Sequence, residues 1–339
     1  MKIVITGGAG FLGARLAREL LKTRQCALAG KPAQSISTVT LVDRVGPPTD
    51  LAADPLVKGV TGDLIDLLQV PGGVPAFLKD ADVIFHLAAA VSGECEADFD
   101  LGMRSNVDTT RALLEACRHA RTHPTFVFAS SLAVFGNSPE QPLPAVIDDR
   151  TLPTPQNSYG IQKFIGEQLV ADYARKGFIR GRNVRLMTVS VRPGKPNGAA
   201  SSFLSGMIRE PLAGVRAVCP VAPETAVALA SPGHTIEGLL RSAAASDAQW
   251  GARTAVNLPA LRTTAGEMVQ ALERVAGEAV ANLIDWTPDP AIARIVTSWP
   301  ANIEAGRASE LGLRPDTSFE AIIEAYLSEN PHTPSATAS

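Results

Sequence analysis

The run KIVITGGAGFLGARLARELL, residues 2–21, constrains the fold of this chain more than any other segment. Lys2 to Thr6 is an apolar, β-branched stretch that stops at glycine, which predicts a short buried strand. Gly7, Gly10 and Gly13 follow at G-x-x-G-x-x-G spacing, and Leu12, Leu16, Leu20 and Leu21 then carry helical periodicity over Phe11 to Lys22. Strand, tight turn and helix in that order form the setting in which a dinucleotide fingerprint has physical meaning. Glycine at 7 permits the turn, glycine at 10 lets backbone amides approach a pyrophosphate, and glycine at 13 lets the helix pack closely on the strand. The start of the helix, at Phe11 and Leu12, then offers unpaired N–H groups and a positive dipole end to the anion.

A second strand is read at Thr38 to Val42, ending in Asp43. A carboxylate there can accept hydrogen bonds from the adenosine ribose hydroxyls and would repel a 2′-phosphate, which favours NAD over NADP. Two features pull the other way. Asp43 lies further from the glycines than the usual ~20 residues, because Ala29 to Ser37 (AGKPAQSIS) reads as an inserted loop. Arg44 follows directly, and an arginine nearby can accommodate NADP.

Further strands, at Val57 to Val60, Val83 to Leu87, Thr125 to Ala129, Val184 to Val191 and Thr254 to Leu258, alternate with helical stretches. Two of these are long: Phe99 to Arg121, and Ser158 to Lys176 closed by Gly177. Such alternation predicts an α/β fold, a Rossmann-type doubly wound parallel sheet. Residues 1–191 with about 233–260 form its nucleotide-binding domain. A smaller, partly helical C-terminal substrate-binding portion comprises 192–232, rich in Pro, Gly and Ala, and about 261–330. The tail 331–339 reads as disordered. The net charge of −3 provides no footprint for nucleic acid or an acidic membrane, and no apolar run approaches ~18 residues. Cys26, Cys95, Cys117 and Cys219 show no metal-like spacing and suit reduced thiols in the cytoplasm.

Tyr159 and Lys163, in SYGIQK, fall on one helical face about a turn apart. An ammonium at ~4 Å in an effective dielectric of ~20 would favour the phenolate by roughly 4 kcal/mol. That is enough to bring a phenol toward neutral pH, where it can shuttle a proton.

Together these residues resemble the extended short-chain dehydrogenase/reductase family over nearly the whole chain. TGGAGFLG (Thr6 to Gly13) looks like its cofactor loop, Gly62 and Asp63 like its adenine-contacting turn, and HLAA (His86 to Ala89) like the strand that backs the cofactor. Asn106 sits where the family has a helix-kinking asparagine, and FASSLAVFG (Phe128 to Gly136) looks like its serine strand, with Ser131 in the catalytic register. The resemblance implies a catalytic set of Ser131, Tyr159 and Lys163. It implies an NAD site made by Gly7, Gly10, Phe11, Leu12, Gly13, Asp43, Asp63, Leu64, Leu87, Ala88, Ala89, Asn106, Tyr159, Lys163 and Pro193, and a homodimer through the two long helices. The strings HLAAAVSGECEADFDLGMRSN and VSVRPGKPNGAASSFLSGMIREPLAG are similar to those of the D-erythronate dehydrogenase branch. That implies oxidation of the C2 hydroxyl of a small sugar acid. One departure is Gly233–His234 in SPGHT, where the branch leads one to expect an arginine after the proline.

An acid substrate needs donors for its carboxylate. Ser92 and Gly93 lie just past the HLAA strand, and Arg192, Lys195, Asn197, Ser201 and Ser202 lie in the loop over the crevice. The acidic run Glu94, Glu96, Asp98 and Asp100 is expected to face away as the charged start of a helix. His86, His119 and His123 are read as structural, and no histidine cluster suggests a metal. Two other functions fit the same fold. One is a nucleotide-sugar epimerase or dehydratase with tightly held NAD, which needs arginines to clamp a diphosphate; the stretch Thr225 to Thr235 has none. The other, a non-catalytic NAD(P)-sensing protein, would need the glycine loop but not the Ser, Tyr and Lys set.

Overall fold

In the computed structural model, which describes residues 1–194 and 198–331, seven strands form one parallel sheet. From one edge their order is Val256–Asn257, Arg180–Leu186, Thr125–Ser131, Val83–His86, Lys2–Thr6, Thr38–Asp43 and Val57–Thr61. The order reverses on either side of Lys2–Thr6, which places a crevice at the carboxyl ends of Lys2–Thr6 and Val83–His86.

Period-2 alternation in the first strand explains the layering. Ile3 and Ile5 pack with Leu16 and Leu20 of the Phe11–Thr23 helix and with Leu239. Val4 points the other way, into a cluster with Leu113, Leu114, Phe126 and Phe128. Both faces are thus covered by helices, as a parallel sheet requires. The C-terminal part gathers a separate core around Met207, Leu229, Met268, Leu272 and Ile323. It carries a three-stranded sheet (Leu261–Thr264, Ala226–Ala230, Thr188–Val189) and a two-stranded one (Ala217–Cys219 with Ile284–Trp286). The Phe203–Leu212 helix lies within the segment read from sequence as loops and short elements; its Pro211 and Gly206 conceal a run in which eight residues are buried.

Three sequence expectations change. The stretch read as an inserted loop is a β-hairpin, Gln25–Leu28 against Lys31–Ser35. Its two-residue turn has Ala29 and Gly30 at φ 54° and 77°, and their N–H groups donate to the carbonyls of Ala243 and Ala244 at the end of the Pro232–Ala244 helix. Every residue of Lys31–Ser35 is exposed, so no alternation marked it as a strand. The strand read as Val184 to Val191 breaks at Met187: Arg180–Leu186 stays in the central sheet and Thr188–Val189 joins the three-stranded one. The helix from Phe99 is not uniform, because Met103–Asp108 forms a π-helical turn between two α-helical segments. Asn106 lies in that turn, where a kink was expected. No helix of the described residues is long and apolar enough to cross a membrane.

Candidate active site

The crevice is a cavity of about 570 Å³ running from the glycine turn to Tyr159. Its nucleotide end is shaped by what is missing from the chain. A Cβ on Gly7, whose φ is +68°, would come within 2.8 Å of the Ala88 nitrogen, and one on Gly13 within 2.1 Å of the Gly7 carbonyl oxygen. Phe11, Leu12, Asp43, Asp63, Leu64, Leu87, Ala88 and Ala89 line this end with Gly7, Gly10 and Gly13. Asp43 accepts hydrogen bonds from Ala9 N at 3.0 Å and Arg44 N at 2.7 Å, which holds its carboxylate at the strand end beside the turn. Arg44 extends to Asp63, 3.0 Å away, and the same Asp63 carboxylate lies 3.6 Å from Arg104. The cradle fits a dinucleotide pyrophosphate with an unphosphorylated ribose.

Asn106 and Pro193 stand apart from the cavity wall. Asn106 is buried, accepting from Ala90 N at 2.9 Å and donating to Gln162 Oε1 at 2.8 Å, so it braces the loop behind the cofactor end. Pro193 is exposed.

Ser131, Tyr159 and Lys163 all meet at the other end of the cavity. Asn157 accepts from Gly160 N at 2.8 Å and so caps the Ser158–Arg175 helix, fixing where Tyr159 leaves it. Gly160 lets that helix pass close to the serine strand, since a Cβ there would fall 2.0 Å from the Ala133 carbonyl oxygen. Ser131 Oγ accepts from Ala133 N at 3.1 Å, which leaves its O–H as a donor. Lys163 is buried; its ammonium donates to the Ala129 carbonyl at 2.8 Å and lies 5.6 Å from the centre of the Tyr159 ring.

The electrostatics differ from the sequence expectation. Burial pushes the Tyr159 phenol up to about 12, while a hydrogen bond from Ser131 and the charge of Arg192 pull it down. Lys163, assigned that role from its i,i+4 spacing, is turned toward Ala129, and its own pKa is lowered to about 8 by burial. Spacing on one helix did not reveal a carbonyl on the neighbouring strand.

On the substrate side, Ser92, Arg192 and Ser201 line the cavity, while Gly93 and Ser202 do not. Ser92 Oγ accepts from Ala200 N at 3.1 Å, and a Cβ on Gly93 would fall 2.2 Å from the Gly198 carbonyl oxygen; both join this loop to the covering segment. Ser202 precedes the Phe203–Leu212 helix. Lys195 and Asn197 lie outside the described residues. Arg192 is anchored through its backbone, its N donating to Ser205 Oγ at 3.0 Å and its carbonyl accepting from Arg209 at 2.7 Å. Its guanidinium makes no ion pair or hydrogen bond among the described residues, and burial lowers its pKa.

The acidic run does not all face away: Glu94 lines the cavity, its carboxylate accepting from Val91 N at 3.0 Å. Glu96 accepts from Ser158 N at 2.6 Å, bracing the start of the Tyr159 helix. Met187, Thr188, Val189 and Trp299 also line the cavity and escaped the sequence reading. Trp299 comes from far along the chain, and no motif marks it.

These features agree with comparisons to known proteins. The chain belongs to the NAD dependent epimerase/dehydratase family, which matches residues 3–282. It is an NAD-dependent oxidoreductase of that family. It is 49% identical to a D-erythronate dehydrogenase of Cupriavidus necator, over 97% of this chain and 98% of that one. It is 40% identical to a D-erythronate dehydrogenase of Haemophilus influenzae, over 96% and 99%. A crystal structure described as a nucleoside-diphosphate-sugar epimerase from Agrobacterium tumefaciens superposes with a TM-score of 0.85 at 39% identity, covering 98% of this chain and 94% of that one.

Proposed function

We propose that this enzyme oxidises the C2 hydroxyl of D-erythronate to 2-dehydro-D-erythronate, with Tyr159 as the general base. The observation that carries the reading is a guanidinium, Arg192, set in the wall of the same cavity as Tyr159 and Ser131 with no ion pair to a carboxylate among the described residues. Such a group suits a substrate carboxylate. NAD, when bound, supplies the hydride acceptor. Lys163 would hold the nicotinamide ribose. Ser131 would donate to the substrate oxygen and orient the C2 hydroxyl toward Tyr159, which, as the phenolate that the Arg192 charge favours, would take its proton while the C2 hydride leaves to that acceptor. Names of the relatives from Cupriavidus necator and Haemophilus influenzae support the choice of sugar acid.

The name of the Agrobacterium structure favours the alternative, a nucleotide-sugar epimerase. Against it, the stretch where diphosphate-binding arginines were sought contains Ala226–Ala230, a strand paired on both sides and largely buried. The same reading includes a cytoplasmic enzyme, supported by four unpaired buried cysteines, and a homodimer, supported by exposed Phe99 and Ile161 near the two long helices.

The test is NADH formation by purified enzyme with NAD, offered four-carbon sugar acids and UDP-sugars in parallel. Turnover of sugar acids, lowered by about 10²–10⁴ in Tyr159→Phe with NAD affinity retained, is the expected result. Conversion of a UDP-sugar without net NADH, and none of any sugar acid, overturns it.

A further inference from the structure

One helical turn beyond Lys163, the same helix places a second charged group with no part in the proposed chemistry. Glu167 is 2% exposed, and Arg185 of the neighbouring strand, 4% exposed, grips it with both ends of its guanidinium, at 2.8 and 2.7 Å. Ser130 Oγ donates to Glu167 Oε1 at 2.5 Å, and Asn183 Nδ2 donates to the Glu167 carbonyl at 3.0 Å. Arg185 lies 4.8 Å from the centre of the Phe135 ring, with Asn257 Oδ1 3.4 Å away. Removing two charges this completely from water is unfavourable unless the surroundings return it, and hydrophobic replacement of such pairs is often tolerated. Stability alone therefore does not explain the pair.

Its position does. The strand that carries Ser131 is bound to the Tyr159 helix at two consecutive residues: Lys163 donates to Ala129, and Ser130 donates to Glu167. We infer that Glu167, clamped by Arg185, is a positioning residue that fixes the Lys163 ammonium and Ser131 against each other where the coenzyme ribose would lie.

The inference rests on the proposed role of Lys163. Charged and titratable groups around its ammonium are Tyr159 and Glu167 on its own helix, Cys95 on the Ser92–Ala97 helix, His86 on the adjacent strand, and Arg185 behind Glu167 on the Arg180–Leu186 strand. Burial lowers the Lys163 pKa to about 8; Cys95 and Glu167 act in the opposite direction. Cys95 is itself buried, its thiol pushed up by burial and its sulfur accepting from Asn106 at 3.3 Å, and the Glu167 carboxylate is held by Arg185, so what ties Lys163 to the serine strand is its bond to Ala129 beside the Ser130–Glu167 bond.

The experiment measures NAD affinity of the whole enzyme, without substrate, from pH 6.5 to 9.5. The single variant Glu167→Gln leaves Arg185 buried without its anion and can fail to fold, so the main variant is Glu167→Gln/Arg185→Met, checked by thermal unfolding. In the native enzyme NAD affinity should fall as pH rises through about 8, the Lys163 value. In the double variant the ammonium is no longer held against the Ala129 carbonyl, which favours its charged form, so the midpoint should move down. Lys163→Met should flatten the pH dependence. If Lys163→Met keeps the native pH dependence, the reading of Lys163 as ribose holder fails. If Lys163→Met flattens it and the folded double variant keeps the native midpoint, the role given to Glu167 is wrong.

Discussion

Gly13 and Gly7 touch backbone to backbone: a Cβ added at 13 would lie 2.1 Å from the Gly7 carbonyl oxygen and 2.8 Å from the Gly8 Cα. The contact is closer than any side chain tolerates, and the atoms in the way are main chain. Accommodating alanine means moving either the helix start or the turn, and both shape the pyrophosphate cradle.

Gly13→Ala is therefore expected to weaken NAD binding at least tenfold and to lower stability by about 1–3 kcal/mol, as overpacking does. Titration calorimetry with NAD and thermal unfolding read the two effects. Gly46→Ala is the control, because nothing lies within 4 Å of a Cβ there and its backbone is ordinary. Equal NAD affinity in the two variants would show that the close approach at 13 does not shape the site.

The glycine cradle was legible because its requirement is local: three glycines between a strand and a helix have one geometry to serve. Tyr159 and Lys163 were legible from their spacing on one helix, and Ser131 only through the resemblance of FASSLAVFG to a family motif. What could not be read were relations between distant segments. Nothing near Tyr159 in sequence says that Arg192 would act on its phenol or that Lys163 would turn to Ala129. The break at Met187 is similar: Thr188 and Val189 leave one sheet for another because Ala226–Ala230 offers them a partner. Trp299 reaches the cavity through the packing of the C-terminal part, and the hairpin at Gln25–Ser35 is held by carbonyls of residues 243 and 244.

Arg192 bears directly on specificity. If it binds a substrate carboxylate, Arg192→Met removes a charge-assisted interaction of about 1.5–3 kcal/mol, so kcat/KM for the sugar acid should fall roughly 10–150-fold. NAD affinity should stay the same. Some loss in kcat is also expected, because the Arg192 charge helps lower the Tyr159 phenol. A comparison with the methyl ester of the same acid separates the two effects. Native enzyme should prefer the acid and the variant should not; a variant that keeps the full preference rules out Arg192 as the carboxylate anchor.

His86 makes the fold sensitive to mild acid. Its Nε2 lies 3.0 Å from Thr110 Oγ1, which donates its own proton to the Asn106 carbonyl and so must accept; His86 therefore carries its proton on Nε2 and accepts from Thr6, 2.6 Å away, on Nδ1. Burial, then the nearby charge of Lys163, lower its pKa from 6.5 to about 3. The sign follows from linkage: between these values the unfolded chain holds a proton that the folded one excludes, so stability falls as pH drops below 6.5 and the loss is complete near 3. The full difference is on the order of 5 kcal/mol, at about 1.4 kcal/mol per pH unit. Most carboxylates titrate lower, and the other histidines are common to both proteins, so over the window from pH 6.5 to 5 the difference between native enzyme and His86→Gln isolates His86. Urea midpoints measured across that window should decline for the native enzyme and stay nearly flat for His86→Gln, which keeps a donor and an acceptor. Parallel slopes for the two proteins would mean that another group controls acid sensitivity.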